Sequence, residues 1–201
     1  MNTTIRFFSL TGIAVLIAIG SMYATGAPPE SMEKRDVTLS GPETEAVKKF
    51  ELQLAEYQKL RDQLEDNLDP LGEEATPEEI DEHRAQLRAA IKTARVGAKP
   101  GDFFTPGMES LVKRICRQAA TGSNGKEVQS TIMDENPGKL PQVGVNDRYP
   151  DGVPVATMPA ELLDALPKLN PYMEYRFLGK RLVLVDAGAG MVLDVTPEVM
   201  P

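Results

Sequence analysis

The chain contains one histidine and one cysteine, which limits the acid–base and nucleophilic chemistry it can carry. A metal centre built from several histidines is excluded, and so is an internal disulfide. His83 lies among carboxylates in a predicted helix, and Cys116 falls on the apolar face of another. A cysteine nucleophile needs a base, and the only histidine belongs to a different element. We therefore predict no catalytic residue and no metal at these positions. Cys116 is interpreted as a small buried hydrophobic side chain, with a reactive or dimer-forming thiol as the alternative.

Pairs of carboxylates offer a second kind of chemistry. Asp134 and Glu135 are adjacent, and Asp147 lies shortly before Asp151. Hydrolysis by two carboxylates requires that they face each other across a cleft. Turn formation explains Asp134 and Asp151 equally well, because aspartate side chains often hydrogen-bond the local backbone. A carboxylate-dependent periplasmic hydrolase is therefore the alternative function.

The polar segment from residue 146 to residue 152, NDRYPDG, is better suited to binding. Pro150 and Gly152 occupy positions that are favoured in turns. Arginine and tyrosine are frequent among the residues that contribute most to binding at interfaces. We predict that Arg148, Tyr149 and Asp151 contact a partner, and a plain turn is the alternative interpretation.

The charge of the chain restricts its partners. Of 201 residues, 30 are Asp or Glu and 22 are Lys or Arg, so the net charge is -8. Such a chain repels a phosphate backbone, and nucleic acid is not expected as a partner. Gly188 and Gly190 lie between two predicted strands rather than between a strand and a helix. They do not form a phosphate-binding loop, and no cofactor is predicted.

Residues 1–26 have the pattern of an export signal. Arg6 is their only charged side chain, and an apolar run extends from Phe7 to Gly20. That length is typical of the apolar region of a signal peptide and is short for a membrane span. Ala24 and Gly26 supply the small side chains that cleavage after Gly26 requires. We predict a periplasmic or secreted protein, with retention of this segment as a membrane anchor as the alternative.

Residues 27–42 are rich in proline, glycine and polar side chains, which is typical of a flexible linker. Helical spacing begins at Glu43, and its apolar stripe consists of Val47, Phe50, Leu54, Tyr57, Leu60, Leu64 and Leu68. A second helix begins at Thr76-Pro77, where Glu79 completes a capping box. Residues 43–97 are therefore predicted to form an antiparallel helical hairpin.

Residues 98–201 are predicted to form a compact unit of short helices and a small antiparallel β-meander. Thr105-Pro106 opens one helix, residues 159–166 form another, and residues 142–146 are predicted to form a short strand. Stronger strand patterns cover residues 175–178, 181–185 and 191–195. A two-residue loop at Gly179-Lys180 pairs Phe177 with Leu182 and Tyr175 with Leu184. The predicted fold class is α+β.

Four stretches of the chain resemble a family of uncharacterised exported bacterial proteins. They are residues 94–106 (ARVGAKPGDFFTP), residues 148–154 (RYPDGVP), residues 158–167 with MPAELL and LP, and residues 174–194 with EYRFLG, LVLVD and VLD. The resemblance covers the chain from about Phe50 to Val195. It implies an exported protein, and it implies no activity, substrate or cofactor.

These features favour an exported, non-enzymatic module that binds a protein or a component of the cell envelope. Its contact with a membrane would be confined to an uncleaved signal segment. An exposed apolar patch would favour binding. A cleft with two facing carboxylates of raised pKa would favour the hydrolase instead.

Overall fold

A computed structural model describes residues 38–134, 140–152 and 158–201. The predicted signal segment at residues 1–26, most of the predicted linker, Glu135 and residues 153–154 lie outside the described residues. The helices are α1 (Gly41–Glu65), α2 (Pro77–Ala94), α3 (Pro106–Thr121), α4 (Gly125–Asp134) and α5 (Ala160–Ala165), and the strands are β1 (Met173–Leu178), β2 (Arg181–Asp186) and β3 (Met191–Glu198). Helices combined with an antiparallel sheet confirm the α+β class.

The first helices begin at residues that satisfy their free backbone N–H groups. In α2 the Thr76 hydroxyl accepts a 3.2 Å hydrogen bond from the Glu79 amide, and the Glu79 carboxylate accepts one of 2.7 Å from the Thr76 amide. This is the predicted capping box. Ser40 donates to Glu43 from its amide and its hydroxyl, both at 2.8 Å. Helix α1 therefore begins at Gly41, slightly before the predicted Glu43.

The strands form an antiparallel meander in the order β1-β2-β3. Tyr175 pairs with Leu184 and Phe177 pairs with Leu182, so the predicted register is confirmed. Gly179 has a φ of 61°, a left-handed conformation that suits glycine in the tight turn between β1 and β2. The strand predicted over residues 142–146 is wrong, because these residues belong to no strand.

Both faces of the sheet are covered. One hydrophobic cluster joins α1, α2 and α3 to the first face, and it includes Phe50, Leu87, Met108 and Phe177. A smaller cluster covers the second face and consists of Val143, Tyr149, Leu178, Val183, Val185 and Val192. Residues 140–149 thus pack onto the sheet. Among the described residues, no helix combines the length and apolar content needed to cross a membrane.

A buried carboxylate orders the segment before α3. Asp194 of β3 has no exposed surface. Its oxygens accept hydrogen bonds from the amides of Gly101 at 3.1 Å, Phe103 at 2.8 Å and Phe104 at 2.8 Å. Because several donors share one charged acceptor, the loop between α2 and α3 is held against β3.

Candidate functional site

A cleft of about 660 Å³ lies between α2, residues 148–152 and the sheet. Helix α2 contributes residues spaced by three or four positions, which share one helix face. The charged lining residues are Glu78, Asp81, Glu82, Arg84, Arg88, Arg148, Asp151 and Arg176. Tyr149 and Gly190 are among the remaining lining residues. The three residues that the sequence predicted as partner contacts therefore line one cleft.

Two arginines attach α2 to the turn between β2 and β3. Arg84 donates from Nε to the Gly188 carbonyl and from Nη2 to the Ala187 carbonyl, each at 3.2 Å. Arg88 donates from Nη1 to the Ala189 carbonyl at 2.7 Å. These bonds place two guanidinium groups at the wall of the cleft, where the turn carbonyls satisfy only some of their N–H groups.

Backbone hydrogen bonds fix the segment around Tyr149 against the end of β3. The Tyr149 amide donates to the Gly190 carbonyl at 2.9 Å, and the Val192 amide donates to the Asp147 carbonyl at 2.9 Å. The Asp147 carboxylate accepts from the Gly144 amide at 2.7 Å, so it serves a local turn. Asp147 is therefore engaged in its own turn, whereas the sequence predicted turn roles for Asp134 and Asp151.

The predicted contact residues differ in exposure. The side chains of Arg148 and Asp151 are 60% and 77% exposed, and they form an ion pair of 2.5 Å. Tyr149 is only 6% exposed. The guanidinium carbon of Arg176 lies 4.6 Å from the centre of its ring, which is a cation–π contact. Replacing Tyr149 by alanine would therefore disturb the packing of the sheet as well as any contact with a partner.

The hydroxyl of Tyr149 is buried and has no hydrogen-bond partner among the described residues. Buried hydroxyl groups are usually paired, because leaving one unpaired costs about 1–3 kcal/mol. Tyr149 lines the cleft, and its unpaired hydroxyl is a candidate for contact with a ligand or a partner.

Four arginines and four carboxylates line the cleft, and several of the arginines lie near one another. Burial lowers the pKa of Arg88, and repulsion by Arg148 and Arg84 lowers it further, while Asp151 opposes this change. Like charges repel most strongly where solvent screens them least. Arg88 is therefore within electrostatic reach of two arginines and of Asp151.

The carboxylates of the cleft lie on its solvent side. Glu78, Asp81, Glu82 and Asp151 are all exposed. A general acid of the glycosidase type needs a carboxyl whose pKa is raised, commonly by burial. The four carboxylates of this cleft are open to solvent rather than buried.

The remaining candidate residues lie elsewhere. His83 is half-buried and lines a separate depression of about 560 Å³ beside residues 69–75. Cys116 has no exposed surface, and burial raises its pKa to about 12. The carboxylate pair Asp134–Glu135 lies outside the described side chains. The described residues contain no group of three or more His, Cys, Asp or Glu side chains placed to bind a metal ion.

Three arginines of the cleft were missed by sequence reasoning. Arg84 and Arg88 are one helical turn apart, and like charges at that spacing repel each other in an isolated helix. This repulsion could have drawn attention to the two arginines in the sequence, because such a pair needs hydrogen-bond acceptors from other parts of the fold. Arg176 gave no comparable signal, since an arginine on a strand is common on solvated faces.

No protein-family model, curated protein or solved structure matches this chain. The geometry of the cleft and the sequence features therefore carry the functional interpretation.

Proposed function

We propose that this protein is an exported, non-enzymatic module that binds a protein or cell-envelope partner through the cleft between α2 and residues 148–152. Export rests on the signal-like residues 1–26 and on the resemblance to exported bacterial proteins. In this proposal α1 and α2 form an antiparallel hairpin whose second helix supplies one wall of the cleft. The protein acts in the periplasm or after secretion.

One observation carries the proposal: Arg148, Tyr149 and Asp151 line a cleft together with three further arginines. Arg148 and Asp151 are open to solvent, whereas Tyr149 is anchored in the sheet packing. Exposed polar side chains around a buried aromatic residue are the arrangement found at many protein interfaces. Binding requires no nucleophile or general acid, and the carboxylates of the cleft are exposed rather than buried.

The test uses two arginine variants, Arg148→Ala and Arg117→Ala. Arg117 is exposed on α3 and does not line the cleft, so it is a matched control. The purified protein serves as bait for an envelope extract of the native host. The captured partner is then purified, and its Kd is measured with each variant.

We expect Arg148→Ala to weaken binding by about thirtyfold, which corresponds to a hot-spot contribution of about 2 kcal/mol. Its melting temperature should stay close to that of the unmodified protein, because exposed ion pairs contribute about 0–1 kcal/mol. Equal affinities of the two variants would contradict a role of the cleft. The purified protein is also tested for turnover of ester, glycoside and peptide substrates. Turnover that is abolished by Asp81→Asn or Asp151→Asn would establish the hydrolase instead.

A further inference from the structure

One arginine of the cleft lacks a carboxylate partner among the described residues. The paired arginines are Arg84 with Asp81 at 3.6 Å, Arg148 with Asp151 at 2.5 Å and Arg176 with Glu174 at 2.7 Å. Arg88 is half-buried, and its one described hydrogen bond runs from Nη1 to the Ala189 carbonyl. The Nε and Nη2 groups lie on the other edge of the guanidinium and have no partner in the described part of the chain. That edge presents two parallel N–H donors.

A second group at the same cleft also lacks a partner. The hydroxyl of Tyr149 is buried without a hydrogen bond to any described residue. Only 6% of the residue is exposed to solvent. Arg176 covers the ring of Tyr149. The lining of the cleft thus includes a guanidinium edge without a described hydrogen bond, near Asp151 but in no ion pair with it, and a tyrosine whose hydroxyl lacks a partner. Both groups can donate a hydrogen bond to an oxygen acceptor.

We propose that the cleft binds the carboxylate of a peptide segment, which acts as the counterion of Arg88 and as the hydrogen-bond acceptor of Tyr149. This inference rests on the proposed function and names the chemistry by which a partner is recognised. A planar carboxylate matches the two parallel N–H groups of a guanidinium edge. The Tyr149 hydroxyl is buried, so contact with it requires neighbouring side chains to move.

The charges around the arginines favour a carboxylate over a phosphate. Glu78, Asp81, Glu82 and Asp151 are exposed along the same cleft, and they repel a doubly charged anion more strongly than a singly charged one. They also attract a basic continuation of the peptide. A volume of about 660 Å³ accommodates the end of a peptide rather than a folded domain. Capture of a terminal carboxylate is a known mode of peptide recognition.

The experiment titrates four probes into the purified protein and follows them by NMR and calorimetry. The first probe is an acetylated alanine–lysine–alanine peptide with a free terminal carboxylate, and the second is the same peptide with an amidated terminus. The third is an amidated peptide with glutamate as its last residue, and the fourth is inorganic phosphate. The Nε–H signal of the Arg88 side chain reports contact at the proposed position.

We expect the free carboxylate to shift the Arg88 signal in a saturable manner and the amidated peptide to leave it unchanged. A shift with the glutamate peptide alone would identify an acidic side chain as the source of the carboxylate. Phosphate should bind at least tenfold more weakly than the best peptide. Phosphate binding as tight as that peptide, or no saturable shift with any peptide, would overturn the proposal.

Variants assign the contact to the named residues. Arg88→Gln should weaken binding at least tenfold, Arg88→Lys should weaken it less because the charge remains, and Arg117→Gln should have no effect. Tyr149→Phe should weaken binding several-fold while the fold is kept. If Arg88→Gln fails to fold, the comparison of Arg88→Lys with Arg117→Lys gives the same discrimination. Unchanged affinity in the Arg88 variants would refute the assignment.

A competition experiment separates this inference from the proposed function. Excess free-carboxylate peptide should release a partner that is captured through the cleft. Capture that depends on Arg148 but resists the peptide would overturn the carboxylate inference and leave the binding function standing. Binding of the peptide at Arg88 in a protein that captures no envelope partner would support the carboxylate site and refute the proposed function.

Discussion

The hydroxyl of Tyr57 donates a 2.7 Å hydrogen bond to the carboxylate of Asp186, which joins α1 to the end of β2. Arg61 donates from Nε to the same carboxylate oxygen at 3.0 Å, and the Ala189 amide donates to the other oxygen at 2.8 Å. Asp186 is fully buried, and Arg61 is only 5% exposed. The paired charges and donors hold the β2–β3 turn that Arg84 and Arg88 also contact from α2.

Removal of the Asp186 carboxylate is expected to destabilise the fold severely. Asp186→Ala removes the buried carboxylate that Tyr57 and Arg61 share, although Glu65 still pairs with Arg61 at 2.5 Å. The loss should lower the free energy of unfolding by about 3–5 kcal/mol. Asp164→Ala is the control, because Asp164 is exposed on α5 and its loss should cost no more than about 0.5 kcal/mol. Denaturant unfolding measures both. Similar losses in the two variants would show that the buried network contributes little.

The two faces of β1 should respond differently to truncation. Phe177 is 1% exposed in the larger cluster, so Phe177→Ala should cost about 3–5 kcal/mol. Arg176 lies on the opposite face of the same strand, where it is largely covered and its guanidinium packs on Tyr149. Loss of that cation–π contact should cost about 1 kcal/mol. Thermal and denaturant unfolding measure the loss of stability in each variant. Equal losses at the two positions would contradict the assigned roles.

Local signals made parts of the fold predictable. The capping box at Thr76 and the Gly179-Lys180 turn each depend on residues within a few positions, and both are present in the structure. The predicted strand at residues 142–146 failed for an equally local reason. Asn146 adopts a φ of 66°, and Asp147 hydrogen-bonds the Gly144 amide, so a turn replaces the extended backbone. Alternating valines alone did not reveal these contacts.

The candidate site was predictable only in part. Arg148 and Asp151 were identified because they share one polar segment with turn residues. Arg88 and Arg176 reach the same cleft from α2 and β1, far from that segment in the chain. The bond that positions Arg88 ends at a backbone carbonyl. Every residue has such a carbonyl, so no residue type in the sequence marks the acceptor.

Cys116 should react slowly in the folded protein. It has no exposed surface, and burial raises its pKa from 9.0 to about 12, so the unreactive thiol predominates at neutral pH. Labelling by a thiol reagent at about pH 8 should be at least about a hundredfold slower than in denaturant, since each pKa unit reduces the thiolate fraction tenfold. Stopped-flow or mass spectrometry measures the rates. Similar rates in both states would support the reactive-thiol alternative.

Glu43 should make the stability of α1 depend on pH. Its carboxylate accepts a 2.7 Å hydrogen bond from Arg114 and further bonds from Ser40, and these contacts lower its pKa from 4.5 to about 2. A carboxyl with a lowered pKa in the folded state stabilises the protein above its unfolded pKa, and this stabilisation is lost as the pH falls from about 4.5 towards 2. Glu43→Gln should therefore melt at a lower temperature than the unmodified protein at pH 7. The two melting temperatures should converge as the pH approaches 2.

Glu45→Gln is the control, because Glu45 is exposed in the same helical turn and its substitution should leave the melting curve unchanged across this range. A difference for Glu43→Gln that persists at pH 2 would assign the effect to packing rather than to ionisation.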